Sequence, residues 1–396
     1  MLSEQSVPVI EATLPVIGAN IEEITKRFYA HLFEAAPQLL DGVFNSTNQQ
    51  IGEQQRALAG SIAAFATMLV NNPGVMPETI MARISHKHAS LGVRAEHYPI
   101  VHEHLFWAIV DVLGDAVTAE IAAAWDEVYW LMANTLINLE RGIYDAAGTS
   151  PDTVFDTWTV SEIRRDTEDV MLISVRRDQA LQASKPGAYV TVQVRTADGT
   201  RQPRQYSLAK IDNGSTRTFA VKLDATAGQQ PGLVSSLLHK NLKVGDELEI
   251  SAPFGDIILE DSQRPVALLS AGIGVTPLAG MLDHLAKTGS TRTVQFLHAD
   301  FNAASVPLHS QIQADIDDLQ HGSLHLWLEE GAEQIGARTS YMNLEGFELN
   351  EGAVYYLCGP VVFMKAVRAQ LLAAGVPAAD IHYEVFGPDL LEVEAA

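Results

Sequence analysis

The hydrophobic period of this chain changes twice, and those changes constrain its fold more than any single motif. From Glu11 to Tyr144 apolar residues recur at spacings of three and four, interrupted by clusters such as Asn71 Asn72 Pro73 Gly74, which predicts helices with one apolar stripe each. From Val170 to Val175 the run is largely apolar. From Tyr189 to Val194 it alternates, with Val190, Val192 and Val194 on one face and Tyr189, Thr191 and Gln193 on the other. With Thr218 to Leu223 and Glu247 to Ile250, and with Gly187 and Gly245 as punctuation, this region predicts a small antiparallel β-barrel. From Val266 onward the runs Val266 to Leu269, Thr293 to His298, Leu324 to Leu328 and Val354 to Leu357 alternate with helical segments such as Thr276 to Leu285 and Val361 to Leu372. That is the pattern of a parallel sheet with crossover helices. A chain of 396 residues also exceeds the size at which one core keeps growing. The expectation is a multidomain protein: an all-α domain over residues 1–147, a linker over 148–152 in a small, polar, Pro-broken stretch, an antiparallel β-barrel over 153–260, and an α/β parallel-sheet domain over 261–396.

The charge excludes two classes of partner. The formal net charge is −23, with 7 Lys and Arg against 17 Asp and Glu in residues 1–150 and 19 against 32 in the rest. Neither part offers a basic face, so a nucleic acid or an anionic membrane surface is not expected. No apolar run reaches the ~18–20 residues of a membrane helix, and residues 1–10 carry Glu4 without a basic cluster, unlike a secretory signal. The single cysteine, Cys358, precludes an internal disulfide and suits a reducing compartment. A cytoplasmic protein with small-molecule partners and no obligate protein partner is expected.

Several polar residues of the helical region fall on apolar faces. A helix is predicted from Pro77 to Leu91, ending at Gly92; Ile80, Ile84 and His88 lie at i, i+4 and i+8, so His88 faces inward. On a helix from Trp125 to Tyr144, Ala133, Leu136 and Glu140 share a face. A buried carboxylate needs a donor, and a carboxylate behind an imidazole N–H is the usual support of a metal-bound histidine. Read alone, His88 is a ligand or a hydrogen-bonded core residue, and Glu140 an inward partner or a snorkelling surface group. Gln54, with Leu58, Ile62 and Phe65, and Tyr29, between Ile24, Phe28 and Phe33, are further inward polar groups. His102 and His104, two apart, do not share a helix face and do not predict a metal pair.

Three short motifs carry the chemistry of the remainder. Arg204 Gln205 Tyr206 Ser207 combines a guanidinium, which pairs bidentately with phosphate oxygens, and an aromatic face that can cover a flat ring. It follows Lys185 Pro186 Gly187 Ala188 Tyr189 and precedes Gly232 Leu233 Val234 Ser235, where a glycine turn and backbone N–H groups suit an anion. Ser270 Ala271 Gly272 Ile273 Gly274 Val275 Thr276 Pro277 joins a strand to a helix, a G-x-G-x-x-P in place of G-x-G-x-x-G. Cys358 Gly359 Pro360 follows a strand end, and near the end of the chain His382 to Pro388 carries an aromatic at Phe386.

Taken in order, Phe28 Tyr29, Phe44 Asn45, Gln54, Lys87 His88 Ala89 Ser90, Tyr98 and Glu140 resemble the globin domain of the flavohemoglobins. The R-x-Y-S, glycine-loop and C-G-P motifs resemble the ferredoxin reductase-like flavoproteins, which form the rest of that family, so the resemblance spans essentially the whole chain. It implies haem b, FAD and NADH or NADPH as cofactors. His88 would be the proximal iron ligand, with Tyr98 and Glu140 hydrogen-bonded behind it and Lys87 and Phe44 beside the haem. Tyr29 and Gln54 would be the distal groups. Tyr189, Arg204, Gln205, Tyr206, Ser207, Gly232, Val234 and Ser235 would hold FAD. Gly272, Gly274, Thr276, Pro277, Cys358, Gly359 and Pro360 would meet the nicotinamide cofactor, with Phe386 over the flavin and Glu384 near the flavin and haem edge. The implied activity is a nitric oxide dioxygenase that turns NO and O2 into nitrate with electrons from NAD(P)H. The other readings are a haem oxygen carrier or redox sensor kept ferrous by its own reductase, and an NAD(P)H-dependent ferric, flavin or quinone reductase. No Lys or Arg stands in Leu297 His298 Ala299 Asp300 Phe301 Asn302, after the second strand of the α/β domain, to meet a 2′-phosphate, so NADH is favoured over NADPH.

Overall fold

The computed structural model describes residues 1–37, 41, 53–72, 74–224 and 231–386. Its contacts divide the chain into two compact units, Met1–Asp156 with Gln193–Arg204, and Thr157–Val192 with Gln205–Ala396.

The first unit contains the helices α1 (Ser6–Ala35), α2 (Glu53–Asn71), α3 (Glu78–Leu91), α4 (His97–Leu113) and α5 (Ala119–Ala146). α1 buries Ile10, Ile17, Ile24 and Phe28 as one stripe against a core that includes Phe65, Met81 and Leu136. α3 occupies the predicted span and stops at Gly92, whose φ of +73° is the left-handed conformation a side chain disfavours. α5 begins earlier than the predicted Trp125, because Thr118 caps it by accepting the Ile121 N–H at 3.3 Å.

Six strands follow: β1 (Phe155–Arg165), β2 (Val170–Arg176), β3 (Tyr189–Arg195), β4 (Arg201–Ser207), β5 (Thr216–Lys222) and β6 (Glu247–Ser251), with α6 (Leu233–Asn241) between the last two. The sheet order is β4-β3-β6-β1-β2-β5, and β2 pairs antiparallel with both β1 and β5. Just beyond β4, Leu208 bridges Phe219 of β5 and the Ala209 N–H reaches Thr218 O, so the two sheet edges approach each other there. The alternation read in Tyr189 to Val194 does not become one wet and one dry face: Tyr189, Val190, Thr191, Val192 and Gln193 are all buried, so both faces of the strand are covered.

The α/β part contains β7 (Val266–Ala271), α7 (Val275–Lys287), β8 (Val294–Asp300), α8 (His309–Asp317), β9 (Gly322–Leu328), β10 (Arg338–Thr339), β11 (Val354–Cys358), α9 (Val361–Ala373) and β12 (Ile381–Glu384). Its strands are parallel in the order β10-β9-β8-β7-β11-β12. The order reverses between β7 and β11, which is where open α/β sheets bind ligands at the carboxyl ends of their strands.

Candidate functional site

In the helical unit the apolar stripe of α3 delivers His88 to α5 and α4. His88 Nδ1 lies 2.8 Å from Glu140 Oε1 and 3.1 Å from the Tyr98 hydroxyl, and that hydroxyl donates to Glu140 Oε1 at 2.5 Å. The Glu140 side chain is only 4% exposed, so the inward reading of this carboxylate holds and the snorkelling one does not. Burial, together with the neighbouring Glu140, pushes the Tyr98 phenol far above its ordinary value, which keeps it a donor. A carboxylate accepts only, and the Tyr98 proton is already committed to it, so the imidazole carries its proton at Nδ1. The lone pair is therefore at Nε2, which takes no hydrogen bond among the described residues. With Nδ1 engaged by Glu140 and Tyr98, Nε2 is the nitrogen this ring can offer to a haem iron.

Two tyrosines support this cluster and escaped the sequence reading. Tyr129 donates to Tyr98 O at 2.6 Å and Tyr144 to Val93 O at 2.9 Å, fixing the ends of the α3–α4 connection. Both continue the stripe Ala133, Leu136, Glu140 in steps of three and four, which was the available signal. Tyr29 is buried in α1, with Phe33 stacked at 5.6 Å and Phe28 tilted at 4.7 Å. Burial raises its phenol well above the ordinary range, so it too stays protonated. Lys87 is half-buried on α3. Gln54 falls in α2 with its side chain outside the described residues, and Phe44 lies outside them altogether.

In the barrel, Arg204 and Tyr206 alternate on one face of β4, with Gln205 and Ser207 on the other. The Tyr206 ring stacks on Phe219 at 5.4 Å and 22°. Arg204 Nη1 donates to Pro203 O at 2.8 Å, and Gln205 Nε2 donates to Thr191 Oγ1 at 3.2 Å. Tyr189 pairs through its backbone with Phe254. α6 starts at Gly232 without a side-chain cap and without an acidic residue in its first turn. A helix start of this kind can accept a phosphate, and the Asp224 carboxylate stands near it, with Oδ2 2.9 Å from where a Gly232 Cβ would lie. A Cβ at Gly232 would lie 2.8 Å from the Asp224 Cβ and 2.9 Å from Ser235 Oγ, so the turn excludes a side chain. Val234 is buried, and Ser235 Oγ is engaged within the turn, donating to Gly232 O at 3.1 Å.

The G-x-G and C-G-P loops of the α/β part meet at the strand reversal. A Cβ on Gly274 would fall 2.5 Å from the backbone of Cys358 and Gly359, which brings the G-x-G loop against the C-G-P loop. Gly272 has a φ of +53°; Thr276 Oγ1 donates to Ile273 O at 3.0 Å, and Pro277 sits buried in the first turn of α7, which has no side-chain cap. Cys358 pairs across the sheet with Ser270 on one side and Glu384 on the other. Burial, then the Glu384 carboxylate, raises the Cys358 thiol well above its ordinary value, so it is a neutral packing group rather than a thiolate. Pro360 caps α9, and Phe386 is 45% exposed two residues past β12. Among the described residues no helix is long and apolar enough to cross a membrane.

The globin family model matches residues 26–136 and the oxidoreductase FAD-binding domain model residues 158–258. The chain is 40% identical to a flavohemoprotein of Chromobacterium violaceum, covering 98% of each chain. Among solved structures it is similar to a flavohemoglobin from Malassezia yamatoensis with bound FAD and heme, at 36% identity and a TM-score of 0.88, over 98% of this chain and 100% of that one. It is also similar to the FAD/NAD-binding domain of a nitric oxide dioxygenase from Vibrio cholerae, at 36% identity and a TM-score of 0.55, over 59% of this chain and 98% of that one.

Proposed function

The chain belongs to the flavohemoprotein family, an oxidoreductase module joined to a globin domain, and from that premise we propose that it is an NAD(P)H-dependent nitric oxide dioxygenase converting NO and O2 to nitrate. When bound, haem, FAD and the nicotinamide cofactor supply hydride delivery, its division into single electrons, and an iron that takes up oxygen.

The residues of this chain prepare each of those events. His88 offers Nε2 to the iron, while Glu140 and Tyr98 hold its other nitrogen and lend the ring imidazolate character. Tyr29 stays protonated in its buried position and is the donor assigned to the distal side; Gln54 is the second distal group that the family resemblance assigns. Arg204 and the start of α6, which has no side-chain cap, would hold the FAD phosphates, and Tyr206 would cover its ring system. Gly274 lets the G-x-G loop close on the backbone of Cys358 and Gly359, and these two loops would together receive the dinucleotide. NADH is the favoured reductant. The setting is the cytoplasm and the partners are small molecules.

The observation that carries the proposal is the hydrogen-bonded triangle of His88, Tyr98 and Glu140. An oxygen carrier or sensor is expected to have a proximal side poor in hydrogen bonds, and here the ring nitrogen has two polar neighbours. The test is anaerobic reduction with NADH followed by air and NO, with nitrate measured. Wild type forms nitrate with oxidation of NADH; His88→Ala should lose the Soret band and nitrate formation while flavin reduction persists. Retained haem and nitrate formation in that variant would refute the ligand assignment.

A further inference from the structure

The ion pair between Asp41 and Arg201 joins residues 160 positions apart and is used by none of the motifs above. Asp41 precedes in sequence the stretch that carries Phe44 and Gln54, while Arg201 opens β4, three residues before Arg204 and five before Tyr206. Both belong to the first compact unit, because residues Gln193–Arg204, from the end of β3 into β4, group with the helices. One strand thus carries both the contact to Asp41 and the R-x-Y-S motif.

The arm that holds Arg201 is tied at its turn. Between β3 and β4 the Thr196 N–H donates to Thr200 O and the Gly199 N–H to Thr196 O, both at 2.9 Å, and the Thr200 N–H donates to Asp198 Oδ1 at 3.1 Å. Gly199 takes a φ of +87°, which lets the turn close. Just beyond it, one carboxylate receives three N–H donors of a single residue. The Arg201 backbone N–H donates to Asp41 Oδ1 at 2.8 Å, Nη2 donates to Oδ2 at 2.9 Å, and Nε spans both oxygens at 3.2 Å. The Arg201 guanidinium, against some desolvation and with Arg195 nearby, holds the Asp41 carboxyl below its ordinary value. Charge favours the match, since residues 193–204 carry three Arg and one Asp while residues 1–150 carry 17 Asp and Glu against 7 Lys and Arg. The side chains remain 44% exposed for Asp41 and 35% for Arg201. A pair so exposed adds little to stability; what three donors on one carboxylate supply is orientation.

We propose that Asp41 and Arg201 are positioning residues for the passage of electrons from flavin to haem, a latch that holds the flavin-bearing strand in register with the globin part. The step moves one electron at a time, oxidising NADH-reduced flavin and reducing ferric iron to ferrous, and the latch touches neither group. Domains joined by a linker move relative to each other by default, and electron transfer weakens steeply when donor and acceptor are misplaced. The proposal rests on the flavin-to-haem route stated above and is independent of the fate of NO.

The experiment uses the full chain loaded with FAD and haem, mixed with NADH in the absence of oxygen, with flavin bleaching and the Soret shift followed separately. Arg201→Ala and Asp41→Asn should each slow haem reduction about tenfold and leave flavin bleaching, haem content and flavin content at wild-type values. A merely structural role would lower all of these together. The exchanged pair, Asp41→Arg with Arg201→Asp, should recover part of the lost rate. Added salt should slow haem reduction in wild type, because both side chains meet solvent, and should leave Asp41→Asn unchanged. Haem reduction at wild-type speed in either single variant overturns the latch, as does an exchanged pair no faster than the single variants. If the variants fail to fold, the wild type alone decides, since haem reduction indifferent to salt also overturns the latch. A wild type whose flavin bleaches while its haem stays ferric refutes the flavin-to-haem reading itself.

Discussion

Tyr98 donates its hydroxyl to the same Glu140 oxygen that faces His88 Nδ1, across 2.5 Å and 2.8 Å respectively. One carboxylate oxygen thereby fixes both the tautomer and the rotation of the ring. Replacing it tests whether charge or orientation matters more. In Glu140→Gln the amide oxygen still accepts from both neighbours, but the negative charge is gone. Nitric oxide turnover should fall about 10–100-fold with haem content retained, and the iron–histidine stretching band should move to lower frequency. Tyr98→Phe removes a brace and leaves the charge, so its turnover should fall less. Equal turnover in wild type and Glu140→Gln would remove the carboxylate from the mechanism.

Gly274 tests the reductase end. The C-G-P backbone occupies the space a Cβ would need, 2.5 Å away on both Cys358 and Gly359. Neither neighbour is a flexible side chain, so Gly274→Ala must separate the two loops. Flavin reduction by NADH should slow at least about tenfold while FAD stays bound, because Gly232 and Arg204 are untouched. Stopped-flow bleaching of the flavin in the absence of oxygen reads this directly.

What the sequence made legible and what it hid follow a physical rule. His88 and Glu140 were visible because a polar residue continuing an apolar stripe must face the core, and a stripe is a sequence-local property. Tyr129 and Tyr144 lie on the same stripe as Glu140, but they bond backbone carbonyls of Tyr98 and Val93, and no side-chain pattern marks an acceptor that every residue possesses. Arg217 and Asp212 were hidden more completely. Asp212 belongs to Ile211 Asp212 Asn213 Gly214, which reads as an exposed turn, yet both side chains are fully buried. Burial of an ion pair depends on what covers it, and here the cover includes Trp158, far away in sequence.

That buried pair makes a stability prediction. Arg217 Nε lies 3.1 Å from Asp212 Oδ2, Nη1 donates to Ser251 O at 3.1 Å, and the guanidinium sits 4.4 Å from the Trp158 ring centre. Arg217→Met fills the space but leaves the Asp212 carboxylate in the interior without its guanidinium, with the Ser184 and Gly214 N–H groups as its remaining donors among the described residues. The expected loss is about 3–5 kcal/mol, read as flavin release at lower temperature or urea concentration. Adding Asp212→Asn removes the stranded charge and should restore part of that loss; a double variant no more stable than the single one would place the damage in lost packing on Trp158.

Asp315 of α8 reverses the usual pH dependence of a carboxylate. Its side chain is 4% exposed, with Lys287 Nζ at 3.8 Å, and Oδ2 is buried without a hydrogen bond among the described residues. Burial first, then the nearby Asp283, raises its pKa from 3.8 to about 6, against the opposing pull of Lys287. Because the folded value is above the unfolded one, the folded state holds the extra proton between about pH 4 and pH 6, and stability falls as pH rises through that window. The penalty is complete above pH 6 and absent below pH 4. Asp315→Asn is neutral throughout, so it should match wild type near pH 4 and exceed it at pH 7 by about 1–2 kcal/mol, a discounted figure given the lysine. Thermal unfolding of the FAD-loaded chain at both pH values decides this. A variant destabilised at pH 7 would mean that the ion pair with Lys287 outweighs the cost of burying the carboxylate.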